Sequence, residues 1–184
     1  IAIQWTDLDG IAANGCECPA VVDESLDEPD IFASYPAAGA KYVDRNCDGV
    51  DGDAATALFV RAGENGVGTL GAPFGTINAA LAVFDAAKHS HILVASGVYP
   101  ERLVLQNGHK LFGGYGPDFK TRDVILLPTV VTGTTQNGTL YADQITQNTV
   151  VAGFTIVGVS HADPGATSYA VYIRGSSKNL VLTN

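Results

Sequence analysis

The chain has 184 residues, 46% hydrophobic and only 16% charged, a balance that builds a core and excludes a disordered polymer. Its net charge of −9 opposes a phosphate backbone, so no nucleic acid partner is expected, and it suits bound cations. No apolar run approaches the roughly 20 residues of a membrane span, and 21 glycines favour turns over long helices.

The chain contains no methionine, so Ile1 is not a translation start, and a processed form or a piece of something longer is expected. Residues 1–41 carry little periodicity. Asp9-Gly10 and Asn14-Gly15 read as turns. The three cysteines, Cys16, Cys18 and Cys47, all lie in the first quarter. Cys16 and Cys18 are too close to pair comfortably with each other. A bridge from one of them to Cys47 would stabilise the fold by roughly 3–4 kcal/mol in the chain-entropy picture. Reduced cysteines packed as small hydrophobes are the alternative. From Val21 to Pro36 the chain carries Asp23, Glu24, Asp27, Glu28 and Asp30 with no basic residue, and it reads as a solvated acidic loop.

The next stretch, Lys41 to Asp53, places oxygen-bearing side chains at alternate positions: Asp44, Asn46 and Asp48, followed by Gly49. This is the first half of the calcium-loop pattern D-x-[DN]-x-[DN]-G. A hard cation takes about six to eight oxygens, and alternate residues of a tight loop can point them inward. The Val50 carbonyl would come next. The twelfth position is Ala55 rather than a bidentate glutamate, so Asp51 or Asp53 must complete the shell. Calcium is the expected ion, held by Asp44, Asn46, Asp48, Val50, Asp51 and Asp53; an all-oxygen set disfavours zinc. The alternative is an acidic turn held by the disulfide.

Leu58-Phe59-Val60 reads as a strand. Gly66, Gly68 and Gly71 then match G-x-G-x-x-G between a strand and a helix. A dinucleotide site is not expected there. Ala72-Pro73-Phe74 separates the glycines from the helix, no acid follows the next strand to hold a ribose, and no second helix exists to build a doubly wound sheet. The helix is expected over 76–88, with Ile77, Ala80, Leu81 and Phe84 as its apolar stripe, Thr76 or Gly75 as its cap and Lys88 at its C-terminal end.

From His91 the period changes. Seven short strands are expected, at 91–95, 101–105, 109–113, 123–127, 149–157, 168–173 and 179–183, most of them divided by glycine, proline or asparagine turns. Their continuous β-branched runs suit parallel pairing, yet no crossover helices are present. A mostly β architecture escapes this conflict: a right-handed parallel β-helix, with the helix at 76–88 capping its N-terminal end. Two regions are expected, an Asp/Cys-rich segment over 1–57 and the β-helix over 58–184.

Several motifs carry a family resemblance. They are Gly68-Thr69, Pro73-Phe74-Gly75-Thr76-Ile77, Ile92-Leu93-Val94-Ala95-Ser96-Gly97-Val98-Tyr99-Pro100-Glu101, and Gly113-Gly114-Tyr115 with Arg122-Asp123. The stretch from Leu58 to Gly114 resembles the opening of pectin-lyase-like right-handed parallel β-helix proteins. Asn14-Gly15-Cys16-Glu17 and Asn46-Cys47-Asp48-Gly49-Val50-Asp51-Gly52-Asp53 are similar to the metal-binding segments of large secreted proteins of myxobacteria-like organisms. The resemblance implies a secreted or cell-surface location.

Two classes of function follow. One is an extracellular structural or adhesive module stabilised by calcium, self-assembling into filaments or binding glycan. The other is a fragment of a secreted polysaccharide lyase or glycoside hydrolase. Acid–base candidates for the second are Glu101, Arg102, Asp118, Lys120, Arg122 and Asp123, and none is assigned as catalytic. His89, His91, His109 and His161 show no ligand spacing. A homo-oligomer partner or a further chain is expected at the open C-terminal end of the β-helix, with polysaccharide as a second partner.

Overall fold

The computed structural model describes residues 4–6, 18–20, 27–31, 42–160, 165, 167–176 and 178–183, the first two stretches as backbone only. β1 (Gln4–Thr6) and β2 (Cys18–Ala20) pair antiparallel. The rest is short strands and one helix: β3 (Leu58–Val60), α1 (Ile77–Val83), β4 (Ile92–Ala95), β5 (Gly97–Tyr99), β6 (Leu103–Leu105), β7 (Lys110–Tyr115), β8 (Thr129–Thr132), β9 (Leu140–Asp143), β10 (Thr149–Ala152), β11 (Phe154–Val157), β12 (Val171–Arg174) and β13 (Leu180–Thr183).

These strands form three sheets, and every pairing within them is parallel. One sheet has the order β13-β10-β7-β4-β3, the second β11-β8-β5 and the third β12-β9-β6. From β4 onward the chain visits the sheets in rotation. Every third strand returns to the first sheet, one place along from its predecessor. Parallel neighbours are therefore joined through two other strands rather than through a helix.

Register aligns side chains into columns. In the first sheet Leu58, Ile92, Leu111, Val151 and Leu182 stand one above another. Tyr99, Val131 and Ile156 do so in the second, and Leu103, Leu140 and Val171 in the third. Apart from Val171 and Leu182 at their ends, these columns meet in one core, which Ile77, Ala80 and Leu81 of α1 join. The other face of the first sheet is covered as well. Phe59, Leu93, Ala95, Phe112, Tyr115, Val150 and Ala152 form a second core with Val50, Ala57 and Phe119. Burial on both faces accounts for the continuous apolar runs of β3, β4 and β10, as parallel strands require.

The mostly β class and the parallel pairing agree with expectation, while several boundaries do not. The helix stops at Val83 rather than residue 88, because Phe84 is extended (φ −62, ψ 126). Asp85 then begins a turn, its carbonyl accepting from the N–H groups of Lys88 and His89. Thr76 is the N-cap, its hydroxyl accepting from the Ala79 N–H at 3.2 Å. No strand forms at 123–127. The Asp123 carboxylate accepts from the N–H groups of Ile125 and Leu126, both at 2.8 Å, and holds a turn instead. The strand comes after Pro128, as β8. The run 149–157 is two strands in different sheets, broken at Gly153 (φ +76), where the chain turns the corner.

Candidate functional site

Among the described residues of the acidic run, Asp27 and Pro29 are buried while Glu28 and Ile31 stay exposed. Asp27 is 4% exposed. Its carboxylate accepts from the Arg45 and Gly52 N–H groups and pairs with the Arg45 guanidinium at 3.4 Å. Arg45 also reaches Asp30 at 2.6 Å. Glu28 pairs with Lys110 at 2.7 Å and with His91 Nε2 at 3.0 Å. The hydrogen bond from His91 is the largest effect holding the Glu28 carboxyl down at about 2. The acidic run is thus a strap in which Asp27 and Asp30 share Arg45 while Glu28 meets Lys110 and His91; Asp23 and Glu24 lie outside the described residues. Like-charge spacing alone could not show this, because the partners Lys110 and His91 lie far along the sequence.

The strap leads into the loop at 44–53. The Asp44 carboxylate accepts from Cys47 N–H at 2.7 Å and Gly49 N–H at 2.8 Å. Asn46 Oδ1 accepts from Asp48 N–H at 3.1 Å, while its Nδ2 donates to Asp48 Oδ2 at 2.9 Å. Asp48 accepts in turn from Val50 and Ala54 N–H. Gly49, at φ +92, makes the tight turn. Burial raises the Asp44 carboxyl above the ordinary aspartate range, and the neighbouring Asp48 charge adds to the effect. Cys47 is disulfide-bonded. Cys16 and the Cys18 side chain lie outside the described residues.

The six expected ligands divide. Asp44, Asn46 and Asp48 share one loop. Val50 is 2% exposed and its side chain belongs to the second core. Asp53 caps the next turn, accepting from Ala55 and Thr56 N–H. Asp51 points elsewhere: its carboxylate accepts from Asp30 N–H at 3.0 Å and pairs with Arg122 at 2.7 Å. Among the described residues no three His, Cys, Asp or Glu side chains converge as a metal cluster. Asp44, Asn46 and Asp48 offer two carboxylates and one amide, an all-oxygen set of the kind a hard cation takes.

Arg122 is the centre of the contact between strap and sheet. Its side chain is 1% exposed. Besides Asp51 it donates to the carbonyls of Gly113 at 3.0 Å and Asp30 at 2.9 Å. The guanidinium lies 4.7 Å from the Tyr42 ring centroid, 5.1 Å from Tyr115 and 5.5 Å from Phe112. Burial pushes the Asp51 carboxyl up to about 6 against the attraction of Arg122. A buried arginine in an aromatic cage is a fastening, its guanidinium closed off from solvent.

The other acid–base candidates hold backbone. Glu101, 8% exposed, accepts from the N–H groups of Ile77 and Asn78, each at 2.8 Å, at the start of α1. Asp123 holds its turn, and Asp118 accepts from Lys120 N–H. His89 and His109 accept at Nδ1 from the N–H groups of Asp85 and Gln106. His91 lies under Glu28, its Nδ1 buried without a partner among the described residues. His161 lies outside the described residues. The glycine motif also has a local cause. A Cβ on Gly68 (φ +91) would stand 2.3 Å from the Phe74 ring, so this glycine makes room for Phe74 rather than for a phosphate.

One feature was not legible from motif spacing. On the third sheet Tyr141 and Tyr172 are register partners, and their rings stack at 5.5 Å with an interplanar angle of 1°. Arg102 lies 4.9 Å over Tyr141, and Tyr169 meets Tyr172 edge to face. With Gln136 and Asn137 these residues line an open groove of about 390 Å³. The pairing of two tyrosines one strand apart could have signalled it, but only once the register was known.

Comparison with protein-family models, with curated proteins and with solved structures finds no match to this chain.

Proposed function

We propose that the chain is an extracellular structural or adhesive module, a right-handed parallel β-helix stabilised by calcium. The observation that carries this reading is the rotation of the chain through three all-parallel sheets without crossover helices. Such winding makes an elongated stack, suited to displaying surface rather than enclosing a site. On this reading α1 caps the stack at β3 and β6, and the strap with its disulfide braces the outer face of the first sheet.

Asp44, Asn46 and Asp48 would hold the calcium ion, with backbone carbonyls and water completing the shell. The ion would neutralise two carboxylates in a loop that carries no cation of its own apart from Arg45, which is engaged by Asp27 and Asp30. Calorimetric titration of chelator-treated protein with calcium, magnesium and zinc tests this. One calcium site, with zinc weaker, is expected; no heat with calcium would overturn the assignment.

Glycan binding is a second reading, and the groove on the third sheet favours it. Tyrosine rings, two amides and an arginine with no carboxylate partner among the described residues offer apolar contact and donors together. Titration with an oligosaccharide panel decides it: saturable binding lost in Tyr169→Ala supports the reading, and no binding contradicts it. Release of unsaturated sugars from pectin or alginate would favour the polysaccharide-lyase alternative instead.

A further inference from the structure

We propose that Asn137-Gly138 is a self-modification site. There the folded chain converts an asparagine beside the tyrosine groove into an aspartate or isoaspartate that Arg102 pairs. The Gly138 nitrogen, having given its proton to water or hydroxide, attacks the side-chain carbonyl carbon of Asn137. A carbon–nitrogen bond forms, the bond to Nδ2 breaks, and ammonia leaves with a proton from solvent. Water then opens the cyclic imide on either side. One opening gives aspartate, the other isoaspartate, whose backbone runs through Cβ. Nothing is oxidised or reduced. Glycine suits the step because no side chain shields its nitrogen.

The described residues hold three Asn-Gly steps, at Asn65, Asn107 and Asn137, and the fold treats them differently. Asn14-Gly15 lies outside the described residues. After Asn65, the Gly66 N–H donates to the Pro73 carbonyl at 2.9 Å. After Asn107, the Gly108 N–H donates to Thr149 Oγ1 at 3.0 Å. Asn107 Oδ1 is itself held by the N–H groups of Thr146 and Gln147, at 2.8 and 3.1 Å. In both cases the attacking nitrogen is tied into the fold. Asn137 is exposed, and neither its side chain nor the Gly138 N–H has a partner among the described residues.

Arg102 adds a second difference. Its Nε and Nη2 donate to the Asn137 carbonyl oxygen at 3.4 and 3.3 Å. That oxygen belongs to the peptide whose N–H must ionise, and it carries most of the charge of the resulting anion. A guanidinium on it stabilises that anion, so more of the nitrogen is ready to attack. The product is favoured too. Arg102 is the one charged side chain lining the groove and has no carboxylate partner among the described residues. A carboxylate at position 137 gives it an exposed pair of modest strength and cancels the charge of the groove.

The inference rests on neither the calcium nor the glycan reading. Peptide mapping by mass spectrometry of the full chain, aged at neutral pH, tests it. Asn137 is expected to convert roughly tenfold faster than Asn65 and Asn107, the factor that one hydrogen bond carries, with isoaspartate among its products. Arg102→Gln is expected to slow Asn137 severalfold and to leave Asn65 and Asn107 unchanged. In urea the three rates are expected to converge, since no fold then distinguishes them. Conversion at Asn137 no faster than at the other two, a ranking that survives in urea, a product without isoaspartate, or an unchanged Asn137 rate in Arg102→Gln would overturn the inference. If that variant unfolds, the comparison of the three steps within the unaltered chain still decides.

Discussion

Arg122 donates to the Asp51 carboxylate at 2.7 Å across 71 residues of sequence, with both side chains out of solvent. This ion pair joins the strap to the first sheet. Because Arg122 also satisfies the carbonyls of Gly113 and Asp30, its loss would leave several buried groups unpaired.

Arg122→Met is expected to destabilise the chain by about 3–5 kcal/mol, the cost of leaving a buried charge alone. The double variant Asp51→Asn, Arg122→Met is expected to lose less than Arg122→Met. Urea unfolding of the three proteins checks this. Equal losses in single and double variants would mean that the pair is not coupled.

Acid is expected to weaken the strap through Glu28. Its folded pKa of about 2 lies below the ordinary 4.5, so its contribution is present above about 4.5 and is lost as pH falls toward 2. Glu28 is half exposed, and solvent screening reduces that contribution to about 1 kcal/mol. Asp51 has the opposite sign. Its folded pKa is raised from 3.8 to about 6, so the folded state binds that proton first and gains stability as pH falls between those values. Melting temperature is therefore expected to hold or rise slightly from neutral pH to about 5 and to drop below 4. Glu28→Gln is expected to flatten the drop, and an unchanged acid limb would contradict the role given to Glu28.

Glu101→Ala tests whether this carboxylate is structural. It removes both acceptors at the start of α1, and a loss of about 1–3 kcal/mol is expected from the unsatisfied N–H groups. Hydrogen exchange is expected to quicken first at Ile77 and Asn78. Unaltered stability would reopen Glu101 as a catalytic candidate.

The glycine motif gives a contrast within one loop. Gly68→Ala is expected to destabilise strongly, since its Cβ would enter the Phe74 ring at a positive φ. Gly71→Ala is expected to be near neutral, with nothing within 4 Å of the added carbon. A thermal melt of each variant suffices; equal effects would mean the loop packs differently.

Fold class and pairing sense were legible because residues such as Val150 and Val151 are apolar on both faces, which parallel strands require. Strand boundaries were less so. Gly153 breaks a run that looks continuous, and Asp123 captures its own backbone N–H neighbours where β-propensity suggests a strand. β5 was hidden because Gly97, Val98 and Tyr99 resemble a turn. The alternate oxygens at Asp44, Asn46 and Asp48 could be read directly, since a tight turn is local. The diversion of Asp51 to Arg122 could not, because no local pattern reports a partner so far along the chain.

On the proposed reading, calcium held at Asp44, Asn46 and Asp48 stabilises the parallel stack. The most direct measurement is the melting temperature in calcium against chelator, for the unaltered chain and for Asp44→Ala. Calcium at about a hundred times its dissociation constant is expected to add about 2.7 kcal/mol to the unaltered chain and nothing to Asp44→Ala. Identical melting in calcium and chelator, or an equal calcium shift in both proteins, would contradict the account.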